Sequence, residues 1–360
     1  MKNIPLAKPN IGIIERLAVR RILKSGSLAQ GPEVKLFEKE FSKIVNGREC
    51  VAVNSGTSAL HLSLLALGIT QGDEVIVPSF SFAATANVVA LVGATPVFVD
   101  IDPKTFCLNP ELIETLINNK TKAIIVVHLY GLAADMIKIM QIAKKHSLLI
   151  IEDAAQSHLA SINNKLVGTF GDAAAFSFYP TKNMTSGEGG MIVLNGSEPA
   201  RVCRLLRNQG MDIKYQNEIV GFNLRMTDIH AAIGRCQLKK LEKATEKRIK
   251  NATYISNRIQ VDSIPFTPSG YRHVFHQYTV RIVRERHNFS RSLKELGIGN
   301  DVYYPIPIHR LPSFNSQVNL EQTEIAAKEV LSLPVHPSLT IRQLRKICDT
   351  FNFLSESLVK

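Results

Sequence analysis

The sequence predicts an α/β protein with a large, mostly parallel α/β/α sheet domain and a smaller C-terminal α+β domain. Three observations carry the prediction. Between roughly residues 50 and 195, short apolar runs alternate with helical text. Several of those runs are β-rich and apolar at every position, as strands covered by helices on both faces are. From residue 227 onward the text turns into long helical stretches that lead to a separate group of elements.

In chain order, the strand candidates are 75–77, 96–99, 123–127, 148–151, 174–178 and 191–194. The segments between them read as helices. Residues 57–67 carry Leu60, Leu64 and Leu67 on one face, and 133–146 carry Met136, Ile137, Met140, Ile142 and Ala143. This βαβ rhythm implies a mostly parallel sheet. Ligands of such sheets sit at the carboxyl ends of the strands, which is where His128, Asp153 and Ser177 fall. Residues 227–259 read as one long helix capped by Thr227 or Asp228, with Ile229, Ala232, Ile233, Leu238 and Leu241 at helical spacing. It is expected to join the two domains, 1–245 and 246–360. The second domain offers an alternating strand at 277–283, a helix around 289–296 and an extended stretch at 302–305.

The composition is that of an ordinary globular chain: 360 residues, 45% hydrophobic and 21% charged,. Five scattered cysteines without a CxxC pair argue against a disulfide framework or a metal site and for a reducing compartment,. The text from Met1 to Pro5 has no apolar core with a cleavage site. No apolar stretch approaches the ~20 residues needed to span a bilayer. A cytoplasmic protein without membrane contact is expected. The net charge of +12 suits either anionic ligands or a solubilising surface,. Between residues 239 and 250 the basic residues alternate with glutamates and lack interleaved aromatics, as on a solvated helix face. No nucleic-acid partner is expected.

Four places could carry chemistry. Asn54-Ser55-Gly56-Thr57-Ser58 opens a helix, where free amides, hydroxyls and the helix dipole suit a phosphate or simply cap the helix. Glu152-Asp153-Ala154-Ala155-Gln156 ends an apolar strand; Asp153 is either a cap or the partner that keeps a pyridine nitrogen protonated. Gln156, a turn later, could bond a ring oxygen. Ser177 and Lys182 flank Pro180, which forces a loop after a buried strand. That loop lets one side chain address a phosphate and the other an aldehyde, by way of a lysine Schiff base. Phe82 could stack on a planar cofactor or belong to the core.

Together with GDEVIVPSFSFAATAN (from Gly72), VVHLYG (from Val126), GEGGMIVL (from Gly187), GFNLRMTDIHAAIG (from Gly221), VYYPIP (from Val302) and LSLPVHPSLT (from Leu331), these stretches resemble the DegT/DnrJ/EryC1/StrS family of sugar aminotransferases. The likeness runs in family order over nearly the whole chain. It implies an aspartate-aminotransferase-like, fold-type-I homodimer with pyridoxal 5'-phosphate at the subunit interface. Position by position, Lys182 matches the Schiff-base lysine and proton shuttle, Asp153 the pyridinium partner and Gln156 its neighbouring contact. Phe82 falls where an aromatic covers the ring. Gly56 and Thr57, with Ser58 in the same turn, and Ser177 match the phosphate cup. Asn223 matches a residue reaching the phosphate from the other subunit, and His128, His158 and Tyr304 fall on the substrate side. The implied reaction moves an amine from L-glutamate, through pyridoxamine 5'-phosphate, to a keto group of a nucleotide-linked sugar. A dehydratase branch has histidine at the lysine position, so Lys182 favours amine transfer. A non-catalytic, cofactor-binding regulatory protein is the other alternative.

Overall fold

The computed structural model describes residues 3–260 and 264–358. Met1 and Lys2, the start of the N-terminal text read above, lie outside them. Two helices, α1 (Ile13–Ser25) and α2 (Pro32–Ile44), precede the sheet. Then come β1 (Glu49–Val53), α3 (Gly56–Ala66), β2 (Glu74–Pro78), α4 (Ala84–Leu91), β3 (Thr95–Val99), β4 (Thr121–Val127), α5 (Met136–His146) and β5 (Leu149–Asp153). A small hairpin, β6 (Ser161–Ile162) and β7 (Lys165–Leu166), leads to β8 (Ala173–Ser177) and β9 (Gly190–Leu194).

The seven long strands form one sheet in the order β1-β9-β8-β5-β4-β2-β3. Within it β9 alone runs against its neighbours, β1 and β8. The reason is local, because no crossover helix separates β8 from β9 and the chain turns straight back. Side chains alternate between the two faces along the strands. Ile124 and Val126 enter one apolar cluster, and Ala123 and Ile125 the cluster on the opposite face. Both faces are therefore dry, as the uninterrupted apolar runs predicted. Sequence reading missed β1 and α4, whose short runs resemble the loops beside them.

After α6 (Ser197–Arg207), the predicted single helix is two: α7 (Asp228–Leu238) and α8 (Leu241–Ser256). Thr227 caps α7 as expected, its Oγ1 accepting from His230 N at 3.3 Å. The break at Lys239-Lys240 has a packing reason. α7 lies against α1 and α2, whereas α8 turns toward the last helix, α11 (Ile341–Leu358). The short strand β10 (Tyr271–Arg272) adds to the β6–β7 hairpin, and β11 (Tyr278–Arg281) pairs with β12 (Val330–Leu333). With α9 (Arg286–Glu295) and α10 (Glu321–Glu329) these complete the C-terminal part. A third apolar cluster joins Ala252, Tyr278, Phe289, Leu331 and Phe351, and Ile4 packs into it from the other end of the chain. Among the described residues no helix is long and apolar enough to cross a membrane.

Candidate active site

A cavity of about 670 Å³ opens where β5 and β8 end. Its walls are the first turn of α3, the loop after β2, the 178–189 loop and the 301–305 stretch. Gly56, Thr57, Phe82, Asp153, Gln156, Ser177, Lys182 and Tyr304, named from sequence, all line it.

Asp153 is the last residue of β5 and is buried. Its Oδ2 accepts from Thr85 Oγ1 at 2.9 Å and its Oδ1 from Ala155 N at 3.2 Å. Ser81 Oγ lies 2.9 Å behind Thr85 Oγ1, so a short hydroxyl relay orients the carboxylate. Burial raises its pKa, against the pull of Thr85, Ala155 and Lys182. Lys182 comes from the loop that Pro180 forces. The turn is closed by Lys182 N donating to Tyr179 O at 3.0 Å and by Thr185 Oγ1 donating to Phe178 O at 2.9 Å. Burial lowers the amine to about 8, opposed by the Asp153 charge. The site thus pairs a carboxylate with an amine far more easily deprotonated than a surface lysine.

At the other end, Ser55 caps α3, accepting from Ser58 N at 3.0 Å, and the helix starts at Gly56. Its first turn presses against the ends of β8 and β9. A Cβ on Gly56 would stand 2.7 Å from Ser177 Cβ, and one on Gly190 would stand 2.3 Å from Ser55 O. Glycine at both positions brings free amides and the Ser177 hydroxyl into one concave surface, a ready anion cradle. Ser58 does not line it. Its hydroxyl lies 2.9 Å from Ser55 Oγ and donates to Asn54 Oδ1 at 2.7 Å.

Gln156 Oε1 accepts from Tyr130 N at 2.9 Å and its Nε2 donates to Tyr304 OH at 3.1 Å, which leaves one amide hydrogen for a ligand,. Phe82 is 59% exposed at the cavity mouth, with its ring centroid 6.2 Å from that of Tyr304. An anion cradle, a buried carboxylate, an amine and a flat aromatic around one cavity form a donor set that fits pyridoxal phosphate: phosphate on the α3 end, ring nitrogen on Asp153 and aldehyde toward Lys182.

Besides Ser58, three predicted residues stand apart. His128 is wholly buried behind the sheet. Its Nδ1 accepts from Ala134 N at 3.1 Å, so Nε2 carries the proton and donates to Glu152 Oε2 at 3.0 Å. Glu152 also accepts from the amides of Gly168, Phe170 and Gly171, each at 2.8 Å. His158 packs on Phe176 and Phe178, and burial drives its pKa to about 3. Asn223 is exposed, bridges to Asn208 and does not line the cavity of its own chain. Conversely, Thr181, His276, Gln277 and Tyr303 line the cavity without having been singled out. Tyr303 and Thr181 carried a signal, as the neighbours of Tyr304 in VYYPIP and of Lys182 after Pro180.

A family model described as the DegT/DnrJ/EryC1/StrS aminotransferase family matches residues 10–352. A pleiotropic regulatory protein from Geobacillus stearothermophilus is 42% identical over 338 residues, covering 91% of both chains. A UDP-N-acetyl-3-dehydro-alpha-D-glucosamine 3-aminotransferase from Acidithiobacillus ferrooxidans is also 42% identical, over 91% of this chain and 90% of the relative. Among solved structures, S. venezuelae DesV in complex with a ketimine intermediate superposes with a TM-score of 0.91 at 38% identity, over 95% of this chain and 94% of that one.

Proposed function

Since the chain belongs to the DegT/DnrJ/EryC1/StrS aminotransferase family and is a pyridoxal-phosphate-dependent aminotransferase, we propose that it moves an amino group from L-glutamate to a keto group of a nucleotide-linked sugar. The observation that carries the reading is the meeting of Lys182, Asp153 and the first turn of α3 around one cavity. When bound, pyridoxal phosphate supplies an aldehyde that exchanges amines and a ring that takes up electrons as a proton leaves the neighbouring carbon. Lys182 Nζ moves that proton, and its lowered basicity suits a group that must both take and return it near neutral pH. Asp153 holds the ring nitrogen in its charged form. The amides of Gly56 and Thr57, beside Ser58, hold the phosphate together with Ser177 Oγ. Gln156 and Phe82 fix the plane of the ring.

On the same reading the protein is a homodimer in which the partner's copy of Asn223 completes the phosphate site; its exposed position in a single chain is consistent with that. Tyr304 faces the substrate. His128 and His158 stand behind the wall and support it. A domain division at 245/246 falls inside α8, the helix whose Ala252 and Ile255 already belong to the C-terminal cluster. Part of the +12 charge then meets a sugar diphosphate,.

The test is incubation with glutamate and a panel of nucleotide ketosugars, followed by mass analysis. An aminated product that depends on Lys182 is expected. The name of the Geobacillus relative favours one second reading, a regulatory protein that binds cofactor without turnover. No product from any ketosugar, with normal cofactor binding, would select it.

A further inference from the structure

A second, smaller cavity lies on the other side of Lys182. Its volume is about 20 Å³, and Lys8, Lys182, Lys240 and Arg248 line it while no carboxylate does among the described residues. Arg248, on α8, is 6% exposed, and its guanidinium makes no hydrogen bond or ion pair among the described residues; Nε is fully enclosed. Lys240 is already neutralised by Glu15. That carboxylate is used up, with Oε1 taken by Lys240 and Gln237 and Oε2 by Gly12 N.

Around Arg248 stand three buried histidines with unpartnered ring nitrogens, His158, His276 and His336. These can escape the cost of burial by staying neutral: burial holds His158 at about 3 and His336 at about 4, and pushes His276 well down. Arg248 cannot do the same. Burial lowers it only to about 10, so it keeps its charge at neutral pH. A largely buried guanidinium without a protein partner is unfavourable and calls for a counter-charge.

We propose that the cavity behind Lys182 binds one small monovalent anion of halide size, held by the Arg248 guanidinium. The volume admits a particle the size of a water molecule or slightly larger, which suits a halide better than phosphate or an organic carboxylate,. Because Lys182 lines both cavities, the anion sits one wall behind the reacting amine. Filling the site favours the protonated amine, and emptying it favours the neutral one.

The test is diffraction from holoenzyme crystals grown in sodium bromide, with data collected at the bromine absorption edge. One ordered bromide within hydrogen-bonding distance of Arg248 is expected, and its loss in Arg248→Met. A site holding only water in the wild type overturns the proposal, as does bromide bound equally well in the variant. In solution, the wild type should melt at higher temperature in bromide than in acetate of equal ionic strength, and R248M should not distinguish the two salts. Identical melting of the wild type in both salts counts against the site. If R248M does not fold, the wild-type diffraction and melting decide alone. None of these readouts depends on which sugar or amine donor the enzyme uses.

Discussion

Cofactor capture by the apo-protein should follow the ionisation of Lys182. Only the neutral amine attacks an aldehyde. With the amine at about 8 rather than its ordinary 10.5, roughly a tenth of Lys182 is neutral at pH 7, about 300-fold more than for an unperturbed lysine,. Burial is the main cause, and Asp153 works against it. Mixing apo-protein with pyridoxal phosphate in a stopped-flow spectrophotometer, with N-acetyl-lysine amide as the solution reference, reads the rate from the absorbance change. The protein's rate should climb almost tenfold from pH 6 to 7 and level off above about 8, whereas that of the reference keeps climbing toward its own, higher pKa,. Asp153→Asn removes the charge that draws the proton onto Lys182, so the plateau should begin at a lower pH even as the cofactor is held less tightly. A protein rate that still climbs beyond pH 9 in step with the reference, or one indifferent to pH between 6 and 7, would refute the idea that burial of this amine activates it.

Further outcomes follow from the packing. Gly56→Ala places a methyl 2.7 Å from Ser177 Cβ; overpacking of ~1–3 kcal/mol should weaken cofactor retention by about tenfold or more with the fold intact, as read by dialysis and circular dichroism. Glu152→Gln, at a wholly buried position, leaves one acceptor oxygen in place of two for the donors of His128, Gly168, Phe170 and Gly171, and should cost about 1–3 kcal/mol in urea unfolding,. Burial pushes the Glu152 carboxyl up, but His128 and the backbone amides outweigh it and hold it below its ordinary 4.5. The wild-type contribution is therefore complete above that pH and lost in stronger acid, and the variant should lack this part of the acid limb. Lys182→Ala and Asn223→Ala homodimers, mixed under exchange conditions, should recover about a quarter of wild-type activity if Asn223 serves the partner's site; no recovery would remove that role.

Much of this was legible because it is local. Asp153, Gln156, Ser177 and Lys182 stand at or just after strand ends, in stretches whose apolar runs and Pro180 announce where the strand stops. His128 shows the limit of that reading. It also follows a strand, but its ring turns to the face of Glu152 rather than to that of Asp153, and a one-residue offset exchanges the two faces,. Thr85, which orients Asp153 across 68 residues, and His276, brought in by the C-terminal part, left no local trace. The α7–α8 break was hidden for a different reason: Lys239 and Lys240 are good helix formers, and only the divergent packing of the two halves separates them,.

The reversed course of β9 bears on the order in which the site assembles. β8, the Lys182 loop and β9 form a near-neighbour antiparallel unit, with Ser177 opposite Gly190. Closing it costs little chain entropy, whereas bringing in the first turn of α3 closes a far longer loop. The amine-bearing loop can thus form with its hairpin, and the anion cradle of α3 arrives afterward, so a refolding chain presents the lysine before the phosphate end of its pocket is complete. Pulse-labelling hydrogen exchange should find the β8 and β9 amides protected before those of α3; the reverse order would place the cradle first.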